Sequence, residues 1–458
     1  MKKRDIYLNS AFILLVIVLY LINPLGMENH QRIVLSILVF VTCTWATSSL
    51  DKSVACIILL LAFVIFGNTK PLTIISQVWG DTILLIMTTT LLSTGMMKTG
   101  LVERHLHKLL SKAGDSTLKL LIISYLLGIA LIFLVPQAFA RVIILGTIFN
   151  SIFVARNENE KKAKEVLIFN VFIAVTMTSM AFSNGDIVLN QAAIGFQEGV
   201  ANNLNPVHWF QMMSVPTLIT AVVTLFVIKI GFKNELSYFS PDMIKTREAE
   251  AEKGNPRTEK IIVLMMLIIV VLWMTEPLHG LKAWLVTLAG IGIMFFLKVL
   301  ELKDLKSINL HFILFMVTVF TIGRGLGEAG VTSSIFNSLQ KVLPDTGSLG
   351  YLMILSIVVM VLHIFIGSSL ATLSVILPVI LPLVVDLGYR PEIITLMAYI
   401  IVNIHFLLPY HHASVMIGTG KGFYSEKYML RFGLIMTPIT FALLYFVFFK
   451  YWQLLGLM

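Results

Sequence analysis

Arg141 is the residue whose chemistry most needs an explanation. It closes the segment Pro136-Gln137-Ala138-Phe139-Ala140-Arg141, which interrupts a long apolar run. A full charge in such a run is costly unless a partner or a ligand meets it. Contact with an anion is one reading, and an ion pair with Asp186 or snorkelling to an aqueous cavity is the other. Three more polar clusters interrupt apolar runs: Ser183-Asn184-Gly185-Asp186, Gly367-Ser368-Ser369-Leu370-Ala371-Thr372 and Pro409-Tyr410-His411-His412. Main-chain carbonyls at such breaks, with the oxygens of Ser183, Asn184, Ser368, Ser369 and Thr372, suit a cation such as sodium. His411 and His412 can carry a proton or meet a substrate. Plainer roles exist for each, since a membrane serine or threonine often only bonds the carbonyl one turn back. The chain has no His-Glu-x-x-His and no Gly-x-Ser-x-Gly, so no catalytic set is assembled. Only Cys43 and Cys56 occur, which leaves out a disulfide framework and a thiolate metal site. No organic cofactor is called for, and sodium is the one ion the clusters suggest.

The elements that position these groups are membrane helices. The chain is 57% hydrophobic and 13% charged, with a mean hydropathy of +0.89, outside the range of soluble domains. Apolar stretches at 12–25, 33–50, 261–274 and 434–449 approach or reach the roughly 20 residues a spanning helix needs. With a cytoplasmic N-terminus, about 26 of the 34 basic residues face the cytoplasm, as the positive-inside rule requires. Residues 232–260, charged and carrying Gly254, Asn255 and Pro256, read as a cytoplasmic linker.

A repeat crosses that linker at an offset of roughly 230 positions. Leu84, Thr88, Gly95 and Gly100 match Leu314, Thr318, Gly325 and Gly330, and the Pro136 to Arg141 segment matches Gly367 to Thr372. Residues 118–155 have basic flanks on both sides, so the chain must turn back at 136–140 and form a hairpin entering from the cytoplasm. Residues 349–387 form the counterpart, entering from outside, with a turn at 367–369. Amphipathic stretches at 102–112 and 331–341 precede the two hairpins. The expected fold is thus an all-α polytopic membrane protein. It is an inverted-repeat carrier with about eleven transmembrane helices, two opposed re-entrant hairpins and an outside C-terminus. Its expected parts are N-terminal helices at 1–78, a first repeat at 79–231, the linker, and a second repeat at 261–458. Two tips and two broken helices then meet near the midplane, where exposed helix N-termini attract carboxylates.

The residues also resemble a known family, the divalent anion/sodium symporters, and in particular its citrate/succinate exchanger branch. The resemblance is carried by His208-Trp209-Phe210 with Val215-Pro216, by Trp273 with Glu276-Pro277-Leu278-His279-Gly280, by His363 with Ser368-Ser369, and by Pro409-Tyr410 through Gly420, Gly422, Phe423, Tyr424 and Ser425. It implies a homodimeric elevator carrier in the cell membrane, moving small di- or tricarboxylate anions as an exchanger or a cation-coupled symporter. Taken with the polar clusters, it points to substrate contacts at Gln137, Ala138, Phe139, Ser368, Ser369, Leu370, His411 and His412, and at Arg141, whose part rests on the physical argument alone. Coupling-ion contacts are implied at Ser183, Asn184, Gly185, Ser369, Thr372 and Tyr410, with sodium at Ser369 and Thr372. Where relatives carry Ser-Asn-Thr at the first tip, this chain has Gln137-Ala138-Phe139. A carrier of another anion, a sodium/proton exchanger, or a membrane sensor derived from a transporter are the alternatives.

Overall fold

The computed structural model describes residues 3–23, 25–47, 49–101, 116–197, 204–244, 256–339, 349–386, 388–408 and 411–458. Nearly all of them are helical, and among the described residues the β-type pairing is one isolated bridge between Phe153 and Ile244. Five segments among the described residues are long and apolar enough to cross a membrane: Asp5–Ile22, Pro71–Lys98, Pro206–Gly231, Leu310–Glu328 and Glu426–Leu454. The expected stretch at 102–112 lies outside the described residues, as does the C-terminal part of 331–341.

In chain order the helices are α1 (Lys3–Ile22), α2 (Asn29–Thr47), α3 (Lys52–Ile65), α4 (Pro71–Gln77), α5 (Asp81–Lys98), α6 (Thr117–Ala130), α7 (Ala138–Ile152), α8 (Glu158–Ser179), α9 (Leu189–Gly195) and α10 (Pro206–Gly231). After the linker come α11 (Pro256–Met274), α12 (Ala283–Phe296), α13 (Leu310–Glu328), α14 (Val331–Leu339), α15 (Leu349–Ile366), α16 (Ser369–Asp386), α17 (Pro391–Ile404), α18 (Ala413–Gly420) and α19 (Glu426–Leu443). The chain forms two compact, discontinuous units: residues 1–84, 192–203 and 309–402 make the first, and 85–191, 204–308 and 403–458 the second.

In the first unit, α13 packs against α3, α4 and α16. The approach to α3 is close because Gly325 carries no side chain: a Cβ there would sit 2.6 Å from the Phe63 ring. The Asn309 side chain caps α13 by accepting from the Phe312 N–H. Helix α17 is buried from Glu392 through Ile404, including a stripe of Glu392, Thr395, Tyr399 and Asn403 at helical spacing, the pattern of a helix surrounded by protein rather than lipid.

In the second unit the corresponding role falls to α8. Asn157 caps it by accepting from Asn159 and Glu160, two acidic residues sit in its first turn, and from Val166 to Ser179 every side chain is buried. Helices α6, α7, α10 and α18 pack around it. Edge-to-face ring contacts join Phe169 to Phe232, Tyr424 and Phe432, an arrangement that aromatic quadrupoles favour. The Trp209 and Trp452 indoles donate to the carbonyls of Met180 and Met212. Buried N–H groups are thus satisfied inside the apolar core.

Helix, turn and helix follow one another in the chain where the sequence reading expects each hairpin. Helices α6 and α7 are joined through a short 3-10 turn at Leu131–Phe133, and α15 and α16 through Gly367 and Ser368. The first turn is earlier than expected. Pro136 lies before it closes, and helix resumes at Ala138, so Ala138, Phe139 and Arg141 belong to the first turn of α7 rather than to the bend. Gly367 has φ of 70°, a left-handed conformation that glycine adopts without steric cost.

Candidate functional site

The backbone breaks fall where polar clusters interrupt the apolar pattern. Helix α8 ends at Ser179 and α9 begins at Leu189, with irregular turns through 180–188; α17 ends at Ile404 and α18 begins at Ala413. Inside a membrane such backbone must be satisfied by protein or by a water-lined cavity. Most of the first break is satisfied from within the second unit. The Asn190 amide donates to Ser179 O at 3.0 Å and Phe182 O at 2.8 Å, and the Gln191 amide to Ser183 O at 3.1 Å. The Asp186 carboxylate accepts from the N–H groups of Val188 and Leu189, which starts α9. Gly185 is required by contact: a Cβ there would lie 2.0 Å from Ser179 O.

Arg141 ties this break to the first tip. It is 0% exposed. Nη1 donates to Val135 O at 2.8 Å, and Nη2 donates to Ser179 Oγ at 2.7 Å and to Gly185 O. The Ile187 N–H reaches Pro136 O at 3.4 Å, adding a main-chain link across the same seam. Asp186 contributes charge near the guanidinium, but Arg141's hydrogen bonds go to two carbonyls and a hydroxyl. The ion-pair alternative therefore gives way to a cation held by neutral oxygens. Its Nε–H has no acceptor among the described residues, and neither does Nδ2 of the buried Asn184.

Past the second break, α18 packs against α7 and α8, which brings the element following His411 and His412 to the helix that carries Arg141. Both histidines are buried. His412 Nε2 lies 3.1 Å from Asn403 Oδ1, so this nitrogen carries a proton and the amide oxygen accepts it. His411 Nδ1 accepts from the Leu407 N–H at 3.2 Å, and its ring lies 6.4 Å from that of His405. Asn403 Nδ2 and His412 Nδ1 have no partner among the described residues. Tyr410 lies outside the described residues.

The second tip belongs to the first unit. Ser369 Oγ donates to Val402 O at 2.7 Å, fastening the start of α16 to the last turn of α17. Thr372 Oγ1 donates to Ser368 O at 2.8 Å and lies 3.0 Å from His363 Nδ1. With the hydroxyl proton on Ser368 O, His363 Nδ1–H donates and one Thr372 lone pair is left. Ser368 Oγ meets the Ala371 N–H at 3.5 Å. Gln137, Phe139, Ser368 and Leu370 are half-buried and Ala138 is buried.

Sequence reasoning missed Ser179, Asn190, Gln191 and Asn403. Each lies within two residues of a helix end at a break, and that position in an apolar run was the signal available for them.

Long apolar helices interrupted by polar breaks mark a multi-pass membrane protein. The chain matches the model of the sodium:sulfate symporter transmembrane region over residues 2–458. It belongs to that family, the divalent anion/sodium symporters, whose members are transporters and not enzymes. A membrane protein of Cupriavidus necator is 23% identical over 98% of this chain and 92% of its own length. The sodium-dependent dicarboxylate transporter SdcS of Staphylococcus saprophyticus is 21% identical over 89% of this chain and 84% of its own. Among solved structures, the YdaH transporter of Alcanivorax borkumensis aligns with a TM-score of 0.47 at 14% identity, covering 81% of this chain and 84% of that one.

Proposed function

We propose that the chain is a secondary active carrier of small di- or tricarboxylate anions in which Arg141 stands as a tethered cation at the first tip. The carrying observation is the guanidinium itself. Two carbonyls and one hydroxyl hold it, the neutral oxygen donors that otherwise suit a sodium ion. Those oxygens are engaged, so the first tip does not fit a mobile sodium. The atoms left over at the breaks include N–H donors, at Arg141 Nε, Asn184 Nδ2 and Asn403 Nδ2. Buried donors call for an acceptor, and a carboxylate is the strongest one a small substrate brings.

A cation that cannot dissociate favours exchange. Without an anion aboard, the guanidinium crosses a low-dielectric region with only the nearby Asp186 to offset it, and a substrate anion adds compensation. The scaffold we infer is the inverted repeat with two opposed hairpins, moving as an elevator. The paired helix starts support it: α6 with α15, α7 with α16, and α8 with α17 keep an offset of roughly 230 positions. In the second unit, Gln137, Ala138, Phe139 and His411 would contact substrate with Arg141 and His412; in the first unit, Ser368 and Leu370 would do so at the second tip.

A second reading is sodium-coupled symport through the second tip. It is favoured by the Thr372 lone pair left at the second tip and by the sodium dependence named for SdcS. Counterflow of labelled succinate, malate and citrate into proteoliposomes decides between them. Exchange predicts counterflow with choline in place of sodium on both sides. Strict sodium dependence supports the second reading, and no flux of any of the three acids defeats both.

A further inference from the structure

Away from the tips and breaks, the second unit holds a cavity of about 330 Å³ where the start of α8, the segment following α10 and the start of α19 converge. Three cations line it: Lys162 from α8, and Lys427 and Arg431 from α19. Rings hold two of the cationic heads. Lys427 Nζ lies 4.9 Å from the centre of the Tyr428 ring, and the Arg431 guanidinium 5.0 Å from that of Phe232. On the acidic side, Glu235 is bound to Arg431 at 2.9 Å, and Glu165 acts on Tyr428 electrostatically from nearby. Three cations against these two carboxylates leave the pocket net positive. Tyr428 lines it at 1% exposure, with Glu165 beside its hydroxyl.

A second phenol, that of Tyr238, lines the same cavity. Point charges, a guanidinium and phenol groups arriving from three elements match an oxyanion with several acceptor oxygens better than a planar carboxylate. A volume near the lower end for ligand pockets, about 300 Å³, admits a headgroup or a small phosphorylated molecule and little more. The basic flanks put this end of the helices at the cytoplasmic face, where both occur. We propose that this cavity binds a phosphate-bearing anion, separately from the transported substrate. Because α8 runs from this pocket to Ser179, which receives Arg141, an occupant bridging α8 and α19 stiffens the body that carries the first tip.

The test uses the full chain in phosphatidylcholine nanodiscs, reading the thermal unfolding midpoint. One arm replaces part of the lipid with phosphatidylglycerol, and the other titrates glycerol 3-phosphate into phosphatidylcholine discs. At least one probe should raise the midpoint saturably. The double variant Lys162→Gln with Lys427→Gln leaves the Arg431–Glu235 pair intact and should weaken that response about tenfold or more. If it does not fold, Lys162→Gln against Lys162→Arg reads the same charge. A response to phosphatidylglycerol alone assigns a lipid headgroup, to glycerol 3-phosphate alone a soluble ligand, and to both the shared phosphate. No response to either, or an unchanged response in the variant, overturns the site.

Discussion

Arg141 offers the sharpest test, because its partners are few and each is identified. Replacing it with Gln removes the donors to Val135 O and Gly185 O. Ser179 Oγ keeps its own bond to Val175 O and loses only an incoming donor. Each buried carbonyl left without a donor costs about 1–3 kcal/mol, so two cost about 2–6 kcal/mol. The middle of that range, about 4 kcal/mol, lowers the population of the intact tip by roughly a thousandfold. Arg141→Lys keeps the charge but not the planar fork, and one retained carbonyl bond should bring the loss nearer to about tenfold. The assay is succinate counterflow in proteoliposomes across Arg, Lys and Gln, normalised to folded protein by size-exclusion chromatography. A fourth variant, Arg141→Ser, opens the oxygens that held the guanidinium. It should be inactive in choline and regain transport in sodium or added guanidinium, while the unsubstituted protein is indifferent to either. Activity of Arg141→Gln within twofold of the parent, or an Arg141→Ser variant blind to sodium, would refute the tethered-cation reasoning.

Asn403→Ala removes the acceptor of His412 Nε2. It should weaken succinate affinity about tenfold, measured by calorimetry, and a change under twofold would take Asn403 out of the site. Gly185→Ala forces a Cβ to within 2.0 Å of Ser179 O and should destabilise the protein by about 3 kcal/mol or more; an unchanged thermal midpoint would show that the break can relax. Lys98 Nζ, 2.6 Å away, and the Glu301 N–H hold the Asp304 carboxyl below the usual carboxylate range. That contribution is present above the unfolded pKa and is lost as pH falls through the lowered one. Midpoints recorded over roughly pH 3–6 should therefore drop less steeply for Asp304→Asn, and parallel curves would contradict the assignment.

What the sequence disclosed and what it hid follow from where the signals lie. The turns near 131–137 and at 367–368 were legible because proline or glycine interrupts an apolar run. The breaks at 180–188 and 405–412 were legible because polar side chains cannot sit in lipid without a reason. Arg324 and Glu328, four apart on α13, were legible as a local pair and meet at 2.9 Å. The partners of Arg141 were not legible, since two of them are main-chain carbonyls and leave no trace in residue type. Lys98 looked like an interfacial anchor, and its ion pair with Asp304 joins residues far apart in sequence. Asn403 resembled any polar residue near a helix end until His412 was seen to face it.

The seam between the first tip and the first break bears on how the carrier opens. Swinging α6 and α7 away from α8 as a flap would cut the bonds from Arg141 to Ser179 and Gly185, and the link from Ile187 N–H to Pro136 O, with no water at hand to replace them. A hinge placed there would be among the stiffest points of the unit. On the proposed carrier reading, α6 and α7 are thus freight with α8 rather than a door, and the part that opens to admit substrate is to be sought elsewhere in the chain.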